Sequence, residues 1–186
     1  MAEFQTPGII GVPKKASMKK YLVIGNPIEH SLSPKLHNYW LNKNKIDGDY
    51  DKKLLMEEKV EEFLKLNQNV SGINVTVPFK KTVINYCTEL TTLASSSQSV
   101  NTIILSNNKI IGDNTDIYGF EQSLKDLNFN GLNKTAFILG AGGVASSVVI
   151  ALNNLGVKNI FISNRTKNKA EALAKDYNLV VSDWGK

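Results

Sequence analysis

Two features of the 186-residue chain predict an α/β protein in two parts. Strand and helix patterns alternate up to Leu127 and begin again at Thr135, after a polar, glycine-containing stretch from Asn128 to Asn133. The second run carries Gly140-Ala141-Gly142-Gly143 between an apolar strand and an apolar helix, where a dinucleotide fold keeps its phosphate-binding turn. The predicted architecture is an N-terminal α/β domain over 18–128, followed over 129–186 by a partial Rossmann dinucleotide-binding domain.

Tyr21 to Ile24 reads as a short buried strand closed by Gly25-Asn26-Pro27. Pro34 opens a helix with Ser33 as its N-cap, so Lys35 to Asn42 is expected to be helical with Leu36, Tyr39 and Trp40 facing inward. Tyr50 to Leu55 is a second strand, and Glu57 to Leu66, apolar at Val60, Phe63, Leu64 and Leu66, is an amphipathic helix. In Gly72 to Val77 the alternation of Ile73, Val75 and Val77 with Asn74 and Thr76 marks a strand that Pro78 ends, since proline cannot donate to a ladder. This βαβαβ order favours a parallel sheet. Lys80 to Cys87 and Leu90 to Ser96 read as short helices. Ser99 to Leu105 and Lys109 to Gly112 flank Asn107-Asn108, a pair that tolerates the positive φ of a hairpin turn. Asp116 to Leu127 is helical. Beyond the linker come strand Ala136–Leu139, helix Val144–Leu155, strand Ile160–Ser163, helix Lys167–Tyr177 and a last apolar pair, Val180-Val181. The part from Thr135 thus holds at most the first half of a complete dinucleotide sheet.

Composition narrows the function classes. With 42% hydrophobic and 21% charged residues the chain is globular in character. Its net charge of +5 is spread over scattered lysines with no dense basic block, which disfavours nucleic acid and suits anionic small molecules. The single cysteine, Cys87, excludes an internal disulfide and fits a reducing cytoplasm; with only His30 and His37 beside it, no metal site is expected. No apolar run approaches the roughly 18 residues that span a bilayer, so no membrane partner is expected. Residues 1–17, with Pro7, Gly8, Gly11 and Pro13 and no periodicity, read as a leader or tag.

The candidate chemistry lies at strand ends. Lys80 follows a strand cut short by Pro78, a corner where open α/β sheets keep catalytic groups; alone it also reads as a solvated lysine. Ser31 and Ser33 read first as cap and turn residues, although both hydroxyls could reach one carboxylate. Asn101 and Asp116 follow later strands, and Asp116 also suits an N-cap. In Gly140-Ala141-Gly142-Gly143-Val144-Ala145, Gly140 makes the tight turn and Gly142 lets backbone approach a pyrophosphate facing the helix N–H groups. The second strand ends not in an acid but in Ser163-Asn164-Arg165-Thr166, and a guanidinium there favours a ribose 2′-phosphate, with Lys167 or Lys169 adding charge.

From Tyr21 to about Lys169 these residues resemble the shikimate dehydrogenase family. The matching stretches are Gly25-Asn-Pro-Ile-Glu-His-Ser31-Leu-Ser33-Pro34, Gly72-Ile-Asn-Val-Thr76-Val-Pro-Phe-Lys80, Val100-Asn101-Thr102, Gly112-Asp-Asn-Thr-Asp116, the Gly140 turn and Asn164-Arg165-Thr166. The resemblance implies NADPH-dependent reduction of 3-dehydroshikimate to shikimate, in aromatic amino-acid biosynthesis, with 18–128 as the substrate-binding domain. It makes Lys80 and Asp116 catalytic, and gives Ser31 and Ser33 the substrate carboxylate. Thr76 and Asn101, with Asp116, would hold ring hydroxyls, while residues 140–145, Asn164, Arg165, Thr166 and Lys169 would hold NADP(H). Ile117 departs from a glycine common after the second aspartate, and Lys81 from a common acid. The family's C-terminal portion, which completes the nucleotide sheet, supplies a substrate glutamine and walls the nicotinamide, has no counterpart here. The expectation is therefore an inactive or weakly active fragment, self-associating through an unpaired sheet edge. Two alternatives stay open: a quinate/shikimate dehydrogenase, and a non-catalytic ligand-binding fragment.

Overall fold

A computed structural model describes residues 18–185; the expected leader, 1–17, lies outside the described residues. The first part is a six-stranded mixed sheet in the order β2-β1-β3-β5-β6-β4. Its strands are β1 (Lys19–Gly25), β2 (Gly48–Leu54), β3 (Gly72–Val75), β4 (Glu89–Leu90), β5 (Thr102–Ser106) and β6 (Lys109–Asp113). The first three are parallel, since each return runs through a helix: α1 (Ser33–Lys43), then α2 (Val60–Leu66). β5 and β6 instead form an antiparallel hairpin, turned by Asn107 and Asn108 at φ 49° and 61°. Ile24, Ile73, Val75 and Ile103 pack with Val60 and Leu64 of α2 and with Phe79, Val83 and Val100 into one buried core.

Six expectations need correction here. The inward face of α1 is not Leu36, Tyr39 and Trp40, which are 47%, 59% and 46% exposed. It is Pro34, His37, Asn38 and Leu41, at helical spacing, all partly buried. His37 stacks on Tyr50 with centroids 4.2 Å apart, while Asn38 accepts from the Tyr50 N–H at 2.9 Å and donates to the Tyr50 carbonyl at 2.8 Å. Nor is Ser33 the N-cap: the helix begins at Ser33 after Leu32, and the Ser31 Oγ accepts the Ser33 N–H at 3.3 Å. β3 stops at Val75, leaving Val77 61% exposed, and the segment after Lys80 is only a 3₁₀ turn, Thr82–Tyr86. Finally, the helix expected from Leu90 is α3 (Thr92–Ser97), capped by the Thr91 hydroxyl, while Glu89 and Leu90 form a strand beside β6. Leu66, read as apolar helix face, is 74% exposed.

The second part is a parallel three-stranded sheet, β7 (Thr135–Leu139), β8 (Asn159–Ser163) and β9 (Val180–Val181), in that order. It is crossed by α5 (Ala145–Asn154) and α6 (Lys167–Tyr177). Between the parts runs α4 (Asp116–Asp126), which packs on α5 by placing Phe120 and Leu124 against Val149, Leu152 and Val157. This places the ends of β3 and β6 against the turn after β7. Among the described residues no helix is long and apolar enough to cross a membrane, and no three His, Cys, Asp or Glu side chains cluster to hold a metal ion.

Candidate active site

Lys80 is held by its neighbours rather than left in solvent. The next-door Phe79 is 1% exposed and anchors the turn in the core, and the Lys80 carbonyl accepts the Val100 N–H at 2.8 Å. With the backbone fixed on both sides, the side chain reaches the first residue of α4: Lys80 Nζ donates to Asp116 Oδ2 at 2.7 Å. The two side chains are 15% and 21% exposed, so the pair sits in a partly dry environment that strengthens its attraction. The other carboxylate oxygen, Oδ1, accepts from Asn101 Nδ2 at 2.8 Å. Asn101 is itself pinned, because its Oδ1 accepts the Thr115 N–H at 2.9 Å and the Thr102 hydroxyl at 3.0 Å.

The network continues into the first strands. Asn74 Nδ2 donates to the Thr102 Oγ1 at 3.2 Å, and Asn74 Oδ1 accepts from the Tyr50 hydroxyl at 2.7 Å. Burial pushes the Tyr50 phenol well above its ordinary pKa, while a hydrogen bond with the Ser33 side chain acts the other way. Side chains from Tyr50 to Lys80 are thus linked through Asn74, Thr102, Asn101 and Asp116, a preorganised polar floor. Of the residues singled out from sequence, Lys80, Asp116 and Asn101 belong to it, and Ser33 lies next to Tyr50 at its end. Thr76 stands beside it in the cleft wall with Lys80, and the Ser31 hydroxyl turns to the local Ser33 N–H. Sequence reading missed Tyr50, Asn74, Thr102 and Thr115. Asn74 was legible as a polar residue in a strand otherwise buried at Ile73 and Val75, the place where a side-chain network enters a core.

Across the cleft lies the glycine turn. Gly140 has φ +106°, a conformation other residues rarely adopt, and its N–H donates to the Ser163 carbonyl at 2.8 Å. A Cβ on Gly143 would lie 3.9 Å from both Cβ and Cδ of Lys80, so the turn comes within van der Waals reach of the lysine stem. α5 begins just after it with no side-chain cap and no acid in its first turn, which leaves helix N–H groups for an anion. Asn164 locks the turn to the end of β8: its Oδ1 accepts the Ala141 N–H at 3.0 Å and its Nδ2 donates to the Thr166 carbonyl at 2.7 Å. The intervening cleft, about 750 Å³, is walled by Thr76, Lys80 and Lys81 on one side and by Ala141, Gly142, Gly143, Val144 and Lys169 on the other. Arg165 is exposed and opens a separate hollow of about 370 Å³ with Asn164, Lys167, Ser182 and Trp184. Lys167, not Lys169, is therefore the lysine beside Arg165.

Fold and site together define a two-part α/β protein in which a Lys–Asp–Asn cluster faces a glycine turn of the phosphate-binding kind. Residues 23–103 match the family model described as shikimate dehydrogenase substrate binding domain, and 123–183 match that described as shikimate / quinate 5-dehydrogenase. The chain belongs to the shikimate dehydrogenase family. It is 52% identical over 170 residues to a shikimate dehydrogenase (NADP(+)) of Pelagibacter ubique, covering 90% of this chain and 64% of that relative. Among solved structures it is similar to shikimate dehydrogenase from Aquifex aeolicus, with TM-score 0.85 and 36% identity over 90% of this chain and 64% of that one. It is also similar to the Thermus thermophilus shikimate 5-dehydrogenase in complex with NADP(H) and shikimate, with TM-score 0.82 and 31% identity over 89% of this chain and 63% of that one. The chain thus spans less than two thirds of the length of these relatives.

Proposed function

We propose that this chain carries the substrate-binding half, over 18–128, and the first nucleotide-binding elements, over 129–186, of a cytoplasmic NADP-dependent shikimate dehydrogenase. The reaction is reversible reduction of 3-dehydroshikimate to shikimate. One observation carries the reading: an ion-paired lysine in a polar network stands within 3.9 Å of a Cβ position on the glycine turn. An acid/base group and a dinucleotide site share one cleft. The turn fits the cofactor's pyrophosphate, having open space at Gly140 and Gly142 and an uncapped helix start behind it. Bound NADPH would supply the hydride.

The residues of the chain do the rest. As the substrate carbonyl oxygen becomes an alkoxide, the Lys80 ammonium stabilises its charge and then gives it a proton. Asp116 aims the ammonium through Oδ2 and, with Asn101 and Thr76, holds ring hydroxyls. Ser31 and Ser33 bind the carboxylate. Residues 140–145 with Asn164, Thr166 and Lys169 hold the cofactor, and Arg165 takes its 2′-phosphate. Quinate is the competing substrate, a choice left open by the description of the matched family model.

The test is Lys80→Ala in the full-length enzyme that carries these residues. Shikimate-dependent NADP+ reduction should fall by about 10²- to 10⁴-fold, with shikimate affinity changed far less. Near-wild-type turnover in the variant would refute the assignment. We also propose that a polypeptide of these 186 residues alone is a weak catalyst that self-associates, because β7 and β9 are both edges of a three-stranded sheet. Light scattering should show oligomers, and a monodisperse monomer would remove that claim.

A further inference from the structure

Behind the cleft a buried amide ties the two parts of the chain together. Asn114 is 0% exposed, and its Nδ2 lies 2.8 Å from the Ser99 carbonyl, 3.1 Å from Ser97 Oγ and 3.0 Å from Ser147 Oγ. Ser97 and Ser99 belong to the first part, whereas Ser147 lies on α5, in the first turn after the glycine segment. The amide oxygen is engaged as well, accepting the Ile117 N–H at 3.3 Å and so fixing the start of α4, where Asp116 sits. A second bond runs parallel to this stitch: Ser99 Oγ donates to the Gly143 carbonyl at 3.0 Å. Gly143 is the residue whose added Cβ would meet the Lys80 stem at 3.9 Å, and two residues on from Ser99 is Asn101, which grips Asp116.

A buried amide of purely structural purpose needs only to be satisfied. This one is satisfied by elements that carry opposite halves of the cleft, so moving the glycine turn strains the same side chain that sets the first turn of α4. We propose that Asn114 is a positioning residue that registers the glycine turn against the Lys80–Asp116 pair, so that cofactor on the turn alters the grip of the pocket on substrate. The inference rests on the function proposed above and deepens it.

The test uses shikimate and NADPH, which are both reduced and cannot react with each other. Shikimate is titrated calorimetrically with and without saturating NADPH, on wild type, Ser147→Ala and Asn114→Asp. Ser147→Ala removes only the acceptor on α5. Asn114→Asp keeps the acceptor for Ile117 but places an anion against the Ser99 carbonyl. In wild type NADPH should change shikimate affinity by about fivefold or more, within the usual range of coupling between sites. In both variants the factor should collapse towards one while each ligand alone binds within about twofold of wild type. Should Asn114→Asp fail to fold, Ser147→Ala decides. Wild-type coupling in Ser147→Ala, equal loss of affinity for each ligand alone, or no coupling in the wild type would each overturn the proposal. A wild-type protein that binds neither ligand would instead overturn the functional reading, and this inference with it.

Discussion

Asp116→Asn tests the polar floor at its most constrained point. The carboxylate uses both oxygens, Oδ2 for the Lys80 ammonium at 2.7 Å and Oδ1 for the Asn101 amide at 2.8 Å. An asparagine offers one acceptor where two are needed. Its NH₂ must face either the ammonium or the Asn101 NH₂, two donors in contact, and Lys80 loses its counter-charge in either orientation. Breaking a fully buried pair costs about 3–5 kcal/mol, and a hydrogen bond to a charged group is worth about 1.5–3 kcal/mol. Here the side chains are 15% and 21% exposed, so water reaches the orphaned ammonium and the lower range applies. A loss of about 2 kcal/mol, divided by a urea m-value of about 2 kcal/mol/M, shifts the unfolding midpoint down by about 1 M. Chemical denaturation followed by fluorescence measures it. Lys80→Met added to Asp116→Asn should restore much of the loss, because the stranded charge is then gone. A single variant that unfolds at the wild-type midpoint would show that solvent already satisfies Lys80, and the preorganised floor would have to be abandoned.

Two other outcomes follow from the same geometry. Arg165→Ala should weaken NADP(H) binding much more than NAD(H) binding, since only the former carries a phosphate for the guanidinium; an equal loss in titration would make the arginine structural. Burial pushes the Cys87 thiol from its ordinary 9.0 up to about 11, with its Sγ donating to the Val83 carbonyl at 3.3 Å. The folded state therefore prefers the neutral thiol: this stability is complete below pH 9.0 and is lost as pH rises towards 11. Native alkylation by iodoacetamide should be slow at neutral pH, and fast labelling of folded protein at about pH 8 would contradict the burial.

Local chemistry made much of the fold legible. The last αβ pair, Lys167–Tyr177 and Val180–Val181, matches its expected bounds, and Asn107-Asn108 turns a hairpin as its positive-φ tolerance requires. What failed depended on partners distant in sequence. Glu89–Leu90 is strand only because β6 lies beside it, and two residues carry no pattern of their own. α1 misled because its apolar residues were assigned inward on hydrophobicity, whereas the sheet edge it covers offers backbone hydrogen-bonding groups and an aromatic ring. Asn38 and His37 answer that demand. In the site, motif order indicated Lys80, Asp116 and Asn101, but not Asn114, whose meaning depends on partners that only folding brings near.

The contact of Asn38 with Tyr50 bears on which margin of the protein another copy can join. β2 is the outer strand of the larger sheet, and a bare outer strand is a template on which another chain can add itself. By taking both the N–H and the C=O of Tyr50, Asn38 occupies one rung of that ladder with a side chain from the same molecule. The flanking residues Asp49, Asp51, Lys52 and Lys53 are charged and exposed. An invading strand would have to break the rung and lie along these charges, so this margin of the sheet resists the addition of another chain.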